Sequence, residues 1–185
     1  VIAGIGVFLF LNVAQAKVSS SDPAGWAGGL FGVSVPNADN TTSRSIYGLT
    51  AGAKIGSDLG IGGYYMSSSK DETVAGVSSK FAYDLYGVEV GMHFEGEAKG
   101  AYFGGRLGTS KVTASVAGAS ISTSPFHWGA FVGYNHMIGG NFSLGGDVNF
   151  FSLAQSSATP LGSTTSQTIN AFNVLNFMAS AKFWF

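Results

Sequence analysis

Three histidines are the side chains of this sequence best suited to proton transfer or metal binding. His93, His127 and His136 lie far apart along the chain, and none has a ligand spacing such as HExxH. A serine hydrolase needs a Ser beside a His and a carboxylate to orient the ring. His127 is followed by Trp128 and Gly129, and no His-x-Ser occurs. With no cysteine, disulfides, thiolate metal sites and thiol redox chemistry are excluded. The expectation is a protein that is not an enzyme and needs no metal or cofactor.

Five charges remain conspicuous: Lys54, Glu89, Arg106, Asp147 and Lys182. Each stands in a stretch of period-two alternation, on the face opposite the apolar residues. Around Glu89, Tyr86, Val88, Val90, Met92 and Phe94 share one side, while Gly87, Glu89, Gly91 and His93 share the other. Around Lys54, Tyr47, Leu49, Ala51, Ala53 and Ile55 oppose Gly48, Thr50, Gly52 and Lys54. Around Asp147, Phe142, Leu144, Val148 and Phe150 oppose Ser143, Gly145, Asp147 and Asn149. A regular hairpin at Glu95 to Gly100 sets Phe94 opposite Ala101, and that register places Glu89 beside Arg106. The five charges are therefore read as an interior polar network, since an unpaired buried charge is costly.

The elements that carry these residues are strands. The last stretch, AFNVLNFMASAKFWF, puts Phe185, Phe183, Phe177 and Leu175 on one face and Trp184, Lys182, Ser180 and Asn176 on the other. It exceeds the usual soluble strand of about 5–6 residues and suits a tilted membrane-crossing one. Eight strands can be marked: Gly25 to Val35, Ser45 to Ile55, Leu59 to Met66, Phe81 to Phe94, Ala101 to Val112, Pro125 to Met137, Phe142 to Leu153 and Asn170 to Phe185. Short connectors alternate with longer Ser-, Thr- and Ala-rich ones at 36–44, 67–80, 113–124 and 154–169. That alternation fits an all-β, eight-stranded antiparallel up-and-down transmembrane β-barrel with short periplasmic turns, long outside loops and both termini periplasmic. In the first strand, Trp26 and the Phe31, Val33, Val35 series have opposite parity, so a bulge is expected at Gly28-Gly29.

Composition agrees with lipid exposure. Only 10% of the 185 residues are charged, against about 25% in a typical soluble domain. The formal net charge of −1 and scattered basic residues argue against nucleic acid. GLFGVSV and GGRLG lie inside strand patterns and precede no helix, so they are not phosphate loops. Aromatic girdles in the headgroup region are expected from the outward residues Tyr47, Tyr86, Phe94, Trp128, Tyr134, Phe142, Phe150 and Phe177. At the start, the apolar run VIAGIGVFLFL followed by Ala14-Gln15-Ala16 reads as an N-terminally incomplete signal peptide over residues 1–16, which leaves residues 17–185 as the barrel domain.

The signal segment, the strand-and-turn alternation, Gly-aromatic strands such as GWAGGLFGVSV and the terminal AKFWF together resemble the small eight-stranded outer-membrane barrels. That family contains the transmembrane domain of outer-membrane protein A and its single-domain relatives. The resemblance implies a Gram-negative outer-membrane location, with outer-membrane lipid around the barrel. It also implies that Phe183 and Phe185 form the signal read by the barrel-assembly machinery. Three functions compete on these residues. One is a structural envelope component whose four long loops contact surfaces or other cells. The second is a small pore for ions or small apolar solutes, and the third a secreted lipocalin-like barrel with its apolar faces turned inward round a ligand.

Overall fold

A computed structural model describes residues 24–37, 42–56, 58–74, 77–94, 100–116, 119–138, 140–159 and 165–185. The expected signal segment, 1–16, lies outside the described residues. Eight long strands form the barrel: β1 (Gly25–Asn37), β2 (Arg44–Ile55), β3 (Leu59–Val74), β4 (Val77–His93), β5 (Ala101–Val116), β7 (Phe126–Met137), β8 (Phe142–Leu153) and β11 (Phe172–Trp184). Three short strands, β6 (Ala119–Thr123), β9 (Ser156–Ala158) and β10 (Gln167–Ile169), extend the connections between them.

Each barrel strand pairs antiparallel with its neighbours in chain order, and β1 pairs with β11 to close the ring. The registers fix its geometry. A path of paired residues from Trp26 runs through Gly52, Gly62, Glu89, Arg106, Gly129, Phe151 and Val174, then returns to β1 at Pro36, ten residues further on. With a rise of about 3.3 Å per residue and strands about 4.8 Å apart, that shear tilts the strands by about 40°. This lies within the usual range for membrane barrels.

The pleat sorts side chains cleanly. Phe31, Leu49, Val88, Leu107, Val132 and Phe177 are 50–64% exposed, and all lie on the outward face. The expected girdle residues Tyr47, Tyr86, Phe94, Trp128, Tyr134, Phe142 and Phe177 are outward and exposed; Phe150 is outward, partly covered by the Trp128 ring 5.8 Å away. The lipocalin-like expectation, with the apolar faces of the strands turned inward, is not met: the continuous apolar face is the outer one.

Three expectations are corrected. First, β1 holds an unbroken register against both β2 and β11, so Gly28-Gly29 forms no bulge. Trp26 instead points inward and is buried, because inward glycines on β2 and β3 leave room for its indole. A Cβ on Gly60 would stand 2.8 Å from the ring, and one on Gly52 would overlap it.

Second, the segment 67–80 is mostly strand. β3 and β4 stay paired from Leu59↔Met92 to Val74↔Val77. Likewise β5 continues to Val116 against β6, and β9 pairs with β10, inside the expected loops 113–124 and 154–169. Beyond the apolar belt the outward positions are polar and exposed, as at Ser69, Asp71 and Lys80, so these strands carry no apolar alternation to betray them.

Third, the expected interior polar network does not extend through the whole bore. One half, on the side of the long hairpins, is an apolar core of Ile46, Met66, Leu85, Val112, Leu153 and Val174, all at 0% exposure.

Candidate functional site

Glu89, Arg106, Asp147 and Lys182 lie in the other half of the interior, toward the short turns. The hairpin between β4 and β5 starts with Phe94 N–H donating to the Ala101 carbonyl at 2.9 Å, and the ladder below it sets Glu89 directly against Arg106. Arg106 donates from Nε and Nη2 to Glu89 Oε2 at 2.9 and 2.7 Å. Its Nη1 donates to Asn149 Oδ1. Thr50 donates to the other oxygen of Glu89 and accepts from the Trp26 indole at 3.3 Å. The guanidinium also lies over the rings of Phe131, 4.4 Å away, and Tyr64, 5.1 Å away. Charge, hydrogen bonds and π-faces thus all converge on Arg106, as a desolvated cation requires.

Asp147 and Lys182 belong to a second cluster, joined through Tyr102. The phenol donates to Asp147 Oδ1, and the Lys182 ammonium sits 4.0 Å from the centre of the Tyr102 ring. Both charges are buried, yet no ion pair joins them among the described residues. Gly133 makes the cluster fit, since a Cβ there would stand 2.5 Å from the Tyr102 ring. Lys54, the fifth charge, is inward but only half-buried at the rim. The structure therefore brings Glu89 and Arg106 together, places Asp147 and Lys182 nearby, and leaves Lys54 at the rim.

Aromatic rings close that rim. Trp26 lies 5.7 Å from His93 and 6.1 Å from Trp184, and His93 stacks on Tyr102 at 5.6 Å. Between this group and the Glu89–Arg106 pair is a cavity of about 20 Å³, lined by Trp26, Glu89, His93, Tyr102, Arg106 and Lys182. That is room for about one water.

Sequence reasoning missed two polar groupings. Ser110 Oγ lies 2.7 Å from His127 Nδ1, and His127 Nε2 meets the Tyr64 hydroxyl. Both ring nitrogens are engaged, no carboxylate orients the imidazole among the described residues, and Ser110 and His127 are at 0% exposure. The group joins β3, β5 and β7 from the inside of the barrel wall. The pair escaped notice because 17 residues separate its members, across a hairpin whose strand β6 has no sequence signal. Arg44 is the other: it donates to the Phe81 carbonyl at 2.8 Å and covers the Phe81 ring at 5.0 Å, roofing the apolar core. His136 is outward and exposed. Among the described residues, no three His, Asp or Glu side chains cluster to hold a metal.

At the turn end, the Phe185 carbonyl accepts from the N–H groups of Ala24 and Gly25, at 2.6 and 2.8 Å. Phe183 and Phe185 stack at 6.4 Å on the outer surface.

No curated protein sequence matches the chain. Solved structures do. Neisserial surface protein A aligns with a TM-score of 0.67 at 13% identity, over 90% of this chain and 98% of its own. Ail, the attachment invasion locus protein of Yersinia pestis, in complex with the heparin analogue sucrose octasulfate, aligns at 0.61 and 14%, over 89% and 99%. The N-terminal β-barrel domain of Pseudomonas aeruginosa OprF aligns at 0.57 and 12%, again over 89% and 99%. At these identities the likeness is one of fold. The family profile of the outer membrane protein beta-barrel domain matches residues 3–183. A closed eight-stranded barrel with an apolar outer belt and a filled interior, matched to that profile almost from end to end, belongs to the outer-membrane protein β-barrel family, and its place is the bacterial outer membrane.

Proposed function

We propose that this chain is a sealed outer-membrane barrel whose work is structural and surface-directed, done by the hairpins that rise from one end. The observation that carries this reading is the filling of the bore. Aromatic rings and an ion-pair network occupy the turn end, and Ile46, Met66, Leu85, Leu153 and Val174 occupy the hairpin end. Small barrels of eight strands have an interior just wide enough for side chains to fill. A polar route past Arg106 would meet that apolar layer.

The orientation proposed puts the short turns, Ala24 and Phe185 in the periplasm and the β3–β4, β5–β7 and β8–β11 connections at the cell surface, following the usual asymmetry of loop length. Phe183 and Phe185 are then presented at the periplasmic rim, where the barrel-assembly machinery would meet them. Segments 36–44, 67–80, 113–124 and 154–169 are the surfaces offered to other cells or host molecules. That Ail carries an attachment name and was solved with a heparin analogue supports a surface role for a barrel of this shape.

The test is conductance in planar bilayers, with wild type and Glu89→Ala side by side. The sealed reading expects no resolved openings from either. Stable channels from the wild-type protein, altered by Glu89→Ala, would instead establish the pore reading, in which the charged cluster is a gate.

A further inference from the structure

Strands β3, β4, β5 and β6 continue above the lipid belt as one four-stranded sheet. Its outer face prolongs the lipid-facing columns directly. On β4 the column Val90, Val88, Tyr86 passes into Asp84, Ala82, Lys80 and Ser78; on β5 Leu107 passes into Thr109, Lys111, Thr113 and Ser115. We propose that this face seats the sugar headgroups of the glycolipid in the leaflet that surrounds the barrel. The proposal rests on the orientation above, with the hairpins at the cell surface.

Three observations lead there. The first is continuity: whatever covers Tyr86 and Leu107 at the belt has its headgroup against the rows immediately above them. The second is chemistry. Ser69, Ser78, Thr113, Ser115, Ser120 and Ser122 present short hydroxyls on a grid of about 4.8 Å across strands and about 6.7 Å along them. Thr113 bonds Ser122 at 2.9 Å and Ser115 bonds Ser120 at 3.0 Å, across the β5–β6 ladder. Each such pair uses one O–H and leaves another donor and several lone pairs for a partner that itself both donates and accepts. Sugar hydroxyls are such partners.

The third is charge. Lys80 lies 3.8 Å from Asp71, and Lys111 stands opposite Asp84 in the register, so each cation has a neighbouring anion. A seat for phosphate would need unbalanced positive charge. This balance favours the neutral sugars.

The chain has no cysteine, so a single introduced thiol is a unique label. Ser157→Cys, exposed on the β9–β10 hairpin, tests orientation alone: an impermeant maleimide should label it in intact cells. Labelling only after lysis would overturn the orientation and the proposal with it.

The sugar seat is tested separately, with a fluorophore on Ser69→Cys in folded protein reconstituted into phospholipid vesicles. Lipopolysaccharide bearing its core oligosaccharide should shield the dye from an aqueous quencher, and lipid A, which lacks that core, should not. Replacing Thr113, Ser115, Ser120 and Ser122 together by Ala should raise the lipopolysaccharide needed for half-shielding roughly tenfold, equivalent to one or two net hydrogen bonds. Ser120→Ala with Ser122→Ala is the milder substitute if the fourfold variant misfolds, judged by gel mobility with and without boiling. Equal shielding by lipid A would show that the core sugars are not what the face holds, and unchanged shielding of the variants would reduce it to crowding. Either result, or no shielding at all, overturns the proposal.

Discussion

Removing the Glu89 carboxylate should strongly destabilise the barrel from its interior. In Glu89→Ala, Arg106 keeps its charge but loses two hydrogen bonds to Oε2, in a setting where its side chain is 3% exposed. Breaking a buried pair by deleting one partner costs about 3–5 kcal/mol, because the survivor is left uncompensated. Asn149, Phe131 and Tyr64 still hold the guanidinium, which places the expected loss near the lower end, about 3 kcal/mol. With a urea dependence of about 2 kcal/mol per molar, the unfolding midpoint in lipid vesicles should fall by about 1.5 M. Arg106→Met leaves Glu89 stranded in turn and should cost a similar amount. The double variant removes both charges, so it should be clearly more stable than additivity allows, with a coupling of about 2 kcal/mol or more. Strictly additive losses, or a Glu89→Ala midpoint within error of wild type, would refute the view that these groups compensate each other in a dry interior.

Other expectations follow from the same geometry. Gly52→Val should destabilise by about 1–3 kcal/mol through overlap with the Trp26 indole, and Trp26→Ala should relieve part of that loss in equilibrium unfolding. Val88→Arg, in the lipid belt, should cost about 2–4 kcal/mol, whereas Ser69→Arg above the belt should cost little; vesicle unfolding curves compare them directly. His127→Ala strands the hydroxyls of Ser110 and Tyr64 and should cost about 2–4 kcal/mol from the cavity and lost hydrogen bonds. Wild-type conductance with these hydroxyls intact is expected to be nil, as under the sealed reading.

What could be read from the residues follows the solvent on each face. Within the belt one face meets lipid and the other the packed bore, so alternation marks the eight strands and their parity, as in Tyr86 to Phe94. The pairing of Phe94 with Ala101 transfers parity into register, which is why Glu89 can be matched to Arg106 from spacing alone. Beyond the belt the signal fails. Ser67, Ser69 and Thr113 lie on the outward face of strands where lipid no longer demands apolar residues, and hydroxyl residues there look like loop. The apolar half of the bore was hidden differently: Ile46, Leu85 and Val174 interrupt faces otherwise read as polar, since hydrophobicity alone does not distinguish packing against lipid from packing against another inward side chain. Trp26 ran against the expectation that aromatics face out, and only the glycines opposite it, on two other strands, explain its place.

The positions of the three tryptophans give the protein a built-in optical record of its own assembly. Trp128 lies on the outer surface, where brominated acyl chains can reach and quench it. Trp26 and Trp184 sit inside, on the first and last strands, and their rings come within 6.1 Å only when β1 and β11 have met. Bilayer insertion and ring closure therefore write to different emitters. Quenching of Trp128 by lipid dates the first event, and the change in Trp26 and Trp184 emission as their indoles meet and leave water dates the second. Whether the sheet enters the membrane open or already closed becomes a question of which signal comes first, answerable on the natural sequence without an added dye.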